Sequence, residues 1–176
     1  MRILIVDDHP VMRFGVRQLV ARRWPDAEIG EAENLAQALQ LARAQSWQVV
    51  VRDLSLPDAV GLEGLAQLRR AAPALPVLVL SMHGEAAYAT QALQLGAAGY
   101  LTKEHATSEL VVAIERVCGG GRYISSDLAA RLADLLANQG GTRAPHETLS
   151  PQEHRVMLLI AAGKSASEIA DAMHLS

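Results

Sequence analysis

Four short apolar runs, Arg2–Val6, Val49–Arg52, Val77–Leu80 and Gly99–Leu101, recur along the chain, and polar residues follow each one. Strands buried on both faces of a parallel sheet read as near-continuous runs of this kind. Ala27–Glu31 is a weaker fifth candidate. Between the runs, apolar residues return at helical spacing. Val11, Phe14, Val16, Leu19 and Val20 predict a helix over Pro10–Arg22. Leu35, Ala38, Leu39 and Ala42 predict another over Leu35–Ala44, with Asn34 as its N-cap. Leu62, Leu65 and Leu68 mark Leu62–Ala71, set off by Pro57 and Gly61 before it and by Pro73 and Pro76 after it. Glu85–Leu95 stops at Gly96, and Ser108–Val117 closes the series.

This alternation predicts an α/β fold: a flavodoxin-like, doubly wound, five-stranded parallel sheet with helices on both faces and right-handed crossovers. The strand order 2-1-3-4-5 places the first and third strands beside the switch point, and ligands of such sheets bind outside the carboxyl ends of the strands. Asp7 and Asp8 follow the first strand, Asp53 the third, Ser81 the fourth and Lys103 the fifth. Three carboxylates, a hydroxyl and an ammonium should therefore meet at one edge.

Past this region Gly119–Gly121 is a break, and Leu128, Leu132, Leu135 and Leu136 predict a helix over Ser126–Ala137. Gln139–Pro145 reads as a flexible linker. Leu149–Gly163 and Ala166–Met173 suggest two further helices, each opened by a capping-box spacing, Ser150 with Glu153 and Ser165 with Glu168. The expected domains are residues 1–122, a linker with a helix over 123–147, and a partial all-α domain over 148–176.

The chain has 176 residues, half of them hydrophobic, enough for one core and a second small module. The net charge of -3 advertises no basic field for nucleic acid. Cys118 is the only cysteine, which excludes an intrachain disulfide and fits a reducing compartment. No segment approaches the ~18 apolar residues of a membrane span, and a secretory signal is missing from the N-terminus. A cytoplasmic protein without membrane contact is expected.

The strand-end residues have the parts for a divalent cation and a phosphoryl group. A hard cation such as Mg²⁺ takes one or two carboxylates together with waters and phosphate oxygens. One carboxylate can serve as nucleophile and form an aspartyl phosphate. Phosphoryl transfer depends mostly on positioning and charge neutralisation, which Lys103 and the Ser81 hydroxyl would supply.

Residues 1–122 resemble a response-regulator receiver domain. The resemblance is carried by Ile3-Leu4-Ile5-Val6-Asp7-Asp8-His9, Asp53-Leu54-Ser55-Leu56-Pro57 with Gly61, Leu80-Ser81, and Gly99-Tyr100-Leu101-Thr102-Lys103. It implies that Asp53 accepts a phosphoryl group from a sensor histidine kinase. It implies a Mg²⁺ ion held by Asp8 directly, by Asp7 largely through water, by Asp53 and by the Ser55 backbone carbonyl. Ser81 and Lys103 would read the phosphoryl group, Tyr100 would be the switch aromatic, and Ser55 and His83 would tune the phosphoryl lifetime. Such a protein is not an enzyme on other substrates; it catalyses only its own Mg²⁺-dependent phosphorylation and dephosphorylation. Arg52 departs from the family, which has an apolar residue before the phosphoacceptor. It must find a partner, snorkel to the end of the sheet, or pair with a carboxylate near the site and alter its electrostatics.

The phrase from Leu149-Ser150-Pro151-Gln152-Glu153 through Ala162-Gly163-Lys164-Ser165 to Glu168-Ile169-Ala170 resembles the start of a LuxR-type helix-turn-helix, which places the chain in the NarL/FixJ class. Its second helix would enter the major groove, and in this class that helix begins just after a phrase like His174-Leu175-Ser176. The expectation is a homodimeric transcription regulator whose full-length form binds DNA while the chain as given does not, either as a fragment, which is favoured, or as a natural truncation. The alternative is a receiver-only adaptor or truncated competitor acting by protein contacts. An aspartyl phosphatase is disfavoured by Ser55 where a second acid is needed, and a nucleotide-binding module by Asp7-Asp8-His9-Pro10 where a glycine-rich loop is needed.

Overall fold

The computed structural model describes residues 1–82 and 86–137. His83, the Gln139–Pro145 linker and the two helices predicted after it lie outside the described residues. The elements run β1 (Arg2–Val6), α1 (Pro10–Arg23), β2 (Glu28–Ala32), α2 (Leu35–Ala44), β3 (Val49–Asp53), β4 (Ser55–Leu56), β5 (Ala59–Val60), α3 (Glu63–Ala71), β6 (Val77–Ser81), α4 (Ala86–Gln94), β7 (Gly99–Thr102), α5 (Ala106–Cys118), β8 (Tyr123–Ile124) and α6 (Ser126–Ala137).

The main sheet is parallel, in the order β2-β1-β3-β6-β7-β8. The predicted strands occupy the predicted order, and the two-residue β8 extends the sheet from five strands to six. Two residues carry no readable period, so β8 is set by its pairing: Gly99 lies beside Tyr123 and Tyr100 beside Ile124. The second sheet is the antiparallel hairpin β4–β5, also absent from the prediction, which turns at Pro57-Asp58.

Side chains alternate between the sheet faces. Ile3, Ile5, Val49, Val51, Leu78, Leu80 and Leu101 form one core with Val16 and Val20 of α1 and Leu110, Ala113, Ile114 and Val117 of α5. The intervening positions Leu4, Val6, Val50, Arg52, Val77, Val79 and Tyr100 are buried too and belong to the opposite face. Truncating a core residue such as Ile114 to alanine costs about 2–5 kcal/mol.

Local chemistry places the ends of the elements. Asn34 caps α2 by accepting from the Gln37 amide at 2.9 Å. Asp58, at the hairpin tip, accepts from the amides of Leu35 at 2.8 Å and Ala36 at 2.9 Å. A carboxylate there satisfies orphan donors and meets the positive end of the helix dipole. The hairpin is thereby tied to α2 beside the carboxyl ends of the strands. At the other end of the chain's described part, α6 packs against α4, with Leu128 buried. Among the described residues no helix is long and apolar enough to cross a membrane.

Candidate phosphoacceptor site

Asp53 ends β3, while Asp7 and Asp8 follow β1, the neighbouring strand. Because Val6 lies level with Arg52, the next residues, Asp7 and Asp53, emerge side by side. Lys103 emerges after β7 at the start of a 3₁₀ turn, Lys103–His105. Its Nζ lies 2.7 Å from Asp53 Oδ2 and 2.9 Å from Asp7 Oδ2. Ligand atoms of Asp7, Asp8, His9 and Asp53 all fall within 4.8 Å of one another. The structure thus brings together the acid pair, Asp53 and Lys103.

Asp7 and Asp53 are each 2 % exposed. Burial pushes the Asp53 carboxyl above its ordinary range, against the lowering effect of the Lys103 hydrogen bond and charge and of the Ser55 amide, with Asp7 adding to the rise. Burial alone would lower the Lys103 ammonium, but its hydrogen bond to Asp53 and its close contact with the Asp7 carboxylate outweigh that and leave it raised. Lys103 is therefore held charged between two carboxylates. Asp7, Asp8 and Asp53 still outnumber it.

The donor set suits a hard divalent cation. Buried oxygens Asp7 Oδ2 and Asp8 Oδ1 accept no hydrogen bond among the described residues. Asp7 Oδ2 faces the Lys103 ammonium and Asp8 Oδ1 lies beside His9 Nδ1, at 2.9 Å in each case, without directed hydrogen bonds. Buried acceptors left in this way call for a positive ligand. Ser55 is the exposed first residue of the hairpin, and its amide donates to Asp53 Oδ1 at 3.2 Å.

Ser81 ends β6 in a buried position, one residue beyond Leu80, the register partner of Asp53. Tyr100 is fully buried on β7, three residues before Lys103. Sequence reasoning missed His9 and Arg13. The His9 amide donates to Asp7 Oδ1 at 2.8 Å, and Arg13 Nη1 donates to the Asp7 carbonyl at 2.8 Å. A signal existed for His9, which adjoins the acid pair; Arg13 reaches the site only because α1 folds back along β1. Arg52 neither snorkels to the end of the sheet nor makes a hydrogen bond: it is fully buried, and Nε, Nη1 and Nη2 find no hydrogen-bond partner among the described residues, although the charges of Asp53 and Asp58 act on it through space.

The fold and this site define a receiver domain, and the comparisons agree. Residues 3–115 match the response regulator receiver domain, and residues 147–176 match the bacterial regulatory proteins of the luxR family. The response regulator UvrY of Escherichia coli O6:H1 is 35% identical over 174 residues, covering 99% of this chain and 80% of the relative. A crystal structure of a LuxR-family two-component response regulator from Aurantimonas sp. SI85-9A1 superposes with a TM-score of 0.72 at 39% identity, covering 77% of this chain and 97% of that one. RcsB from Salmonella enterica serovar Typhimurium, solved bound to a promoter in the presence of the phosphomimetic BeF3-, superposes with a TM-score of 0.71 at 26% identity, covering 100% of this chain and 84% of that one. The chain belongs to the two-component response regulators that carry a LuxR-type DNA-binding domain and control transcription.

Proposed function

We propose that Asp53 is the phosphoacceptor and that its modification, with Mg²⁺, by a sensor histidine kinase switches this regulator of transcription. The observation that carries this reading is the buried cluster itself: Asp53 held by Lys103 at 2.7 Å, beside two further carboxylates with unsatisfied oxygens. An Asp53 oxygen attacks the phosphorus of a phosphohistidine, the P–N bond breaks, and the ring nitrogen leaves with the electron pair. Asp7, Asp8, Asp53 and the Ser55 carbonyl would hold Mg²⁺, which supplies positive charge against the phosphoryl oxygens. Once Asp53 is phosphorylated, Lys103 loses one of its two carboxylate partners and turns to a phosphoryl oxygen. The Ser81 hydroxyl donates to another, and Ser55 and His83 set how readily water reaches the phosphorus.

The switch is a shift between two pre-existing states, biased by the new charge. Movement of Ser81 and Tyr100 alters the surface roughly between Glu85 and Val117. Because α6 packs on α4, a change in α4 reaches the segment that leads to the LuxR-type domain. The active form binds DNA as a homodimer; solved RcsB, at 26% identity, includes two dimers on two parallel DNAs.

The test is intact mass after incubation with Mg²⁺ and a small phosphodonor. Wild type gains one phosphoryl group and Asp53→Asn gains none. Equal labelling of both would remove Asp53 from the reaction. Lys103→Ala accepts the group yet shows little conformational response; a normal response there would remove Lys103 from the switch.

A further inference from the structure

Arg52 is the largest fully buried side chain of the described residues and has no hydrogen bond for any guanidinium nitrogen. A buried cation left this way is expensive, and replacing it by an apolar residue of similar volume commonly stabilises a fold. The fold nonetheless makes room for it. Arg52 lies between Val6 and Val79 on the neighbouring strands. A Cβ on Gly64 of α3 would collide with Arg52 Nη2 and lie 3.1 Å from Cζ and 3.0 Å from the Ala59 Cβ. Gly64, without a side chain, leaves the space that the guanidinium fills.

Two negative groups act on Arg52 through space, Asp53 and Asp58. The Asp58 oxygens are engaged by the Leu35 and Ala36 amides. Asp53 is the next residue on the strand and the group whose charge changes in signalling. Arg52 and Asp53 point to opposite faces of β3, so the two meet by field rather than by contact.

We propose that Arg52 sets the charge balance of the phosphoacceptor site from behind the sheet, opposing the divalent cation in the resting state and favouring the anionic phosphoryl group on Asp53. It acts through Asp53 and touches no reacting atom, so it is a positioning residue. The inference rests on the reading of Asp53 as phosphoacceptor. Asp7, Asp8 and Asp53 against Lys103 leave an excess of two negative charges, which attracts Mg²⁺. Arg52 cancels part of that attraction. A phosphoryl group adds negative charge beside Asp53, and the same guanidinium then becomes favourable. Burial keeps salt from screening it.

The experiment uses two equilibria on the whole chain: Mg²⁺ alone by calorimetry, and fluoroberyllate at saturating Mg²⁺ by ¹⁹F NMR. Arg52→Met is expected to bind Mg²⁺ about five- to tenfold more tightly and fluoroberyllate about three- to tenfold more weakly. Arg52→Lys returns both towards wild type. A packing defect would move both affinities the same way, so the opposed signs identify the charge. Affinities that are unchanged, or that shift together, in a folded Arg52→Met overturn the proposal. Should Arg52→Met not fold, Arg52→Gln, neutral and polar, carries the same pair of measurements. Failure of wild type to bind fluoroberyllate would count against Asp53 as phosphoacceptor, while the Mg²⁺ titrations alone still decide whether Arg52 repels the cation.

Discussion

Both edges of the parallel sheet are lined with charge, but only one is left incomplete. At the amino-terminal edge Arg2 donates to Glu28 twice, at 2.8 Å each, and to Gln45 at 2.8 Å, and its guanidinium lies 5.5 Å from the centre of the Trp47 ring. These groups are solvated and satisfy one another. At the carboxyl edge Asp7 and Asp53 share the Lys103 ammonium, Asp8 lies beside His9, and the buried oxygens Asp7 Oδ2 and Asp8 Oδ1 lack directed hydrogen bonds. Size does not distinguish the two edges, since a cavity of about 730 Å³ opens at the amino-terminal edge, lined by Arg2, Arg43, Trp47 and Leu75 among others, away from the acid cluster. Unsatisfied buried acceptors thus distinguish the edge proposed to work, whereas charge or volume alone does not. Exposed pairs such as Arg2–Glu28 add little, because water and salt already serve each partner.

The sharpest break is at Asp53: Asp53→Asn should lose phosphoryl labelling completely, while Arg2→Met leaves it intact, both read by intact mass. Next in size is the metal. Mg²⁺ at a hundredfold excess over its dissociation constant should stabilise the fold by about 2.7 kcal/mol. Chelation should reverse this, and Asp8→Asn should abolish it, both followed by thermal melting. A stabilisation retained in Asp8→Asn would place the ion elsewhere.

A third prediction concerns charge crowding. Burial raises the Asp53 carboxyl, so the folded state binds that proton more tightly than the unfolded state does. Its contribution to stability is present below the ordinary carboxylate range and is lost as pH rises through the raised value. Metal-free Asp53→Asn should therefore melt above wild type at neutral pH, a ranking that Mg²⁺ narrows or inverts.

Smaller still is the edge strand β8. Tyr123 donates to Glu109 at 2.9 Å, and burial with the Glu109 bond and charge pushes its phenol up to about 12. That bond stabilises below the ordinary tyrosine range near pH 10 and is lost as pH climbs through the raised value. Tyr123→Phe should cost about 0.5 kcal/mol and remove one late-titrating phenol from the absorbance titration. Smallest of all, Arg2→Met should leave the melting midpoint within error; a large drop would undo the contrast between the two edges.

Much of the fold was legible because its elements are written in local patterns. Runs such as Val77–Leu80 and the helical spacing of Leu35–Ala44 with Asn34 carry their period in a few adjacent residues, and the strand order follows from the alternation. Where the period was too short to read, the prediction fell silent, as with β8 and the β4–β5 hairpin. The start of α5 at Ala106 rather than Ser108 reflects the 3₁₀ turn at Lys103–His105, which leads straight into the helix.

The sequence by itself determined which groups stand at the strand ends, because a strand's last residue is a local fact: Asp7, Asp8, Asp53, Ser81 and Lys103 are placed by where the apolar runs stop. Only the tertiary structure decided how these groups are satisfied. That Lys103 divides itself between Asp53 and Asp7, and that Arg52 stays buried without a hydrogen bond beneath Gly64, depend on different elements meeting at particular distances. Desolvation and hydrogen-bond geometry are properties of that meeting, and no single stretch of residues encodes them.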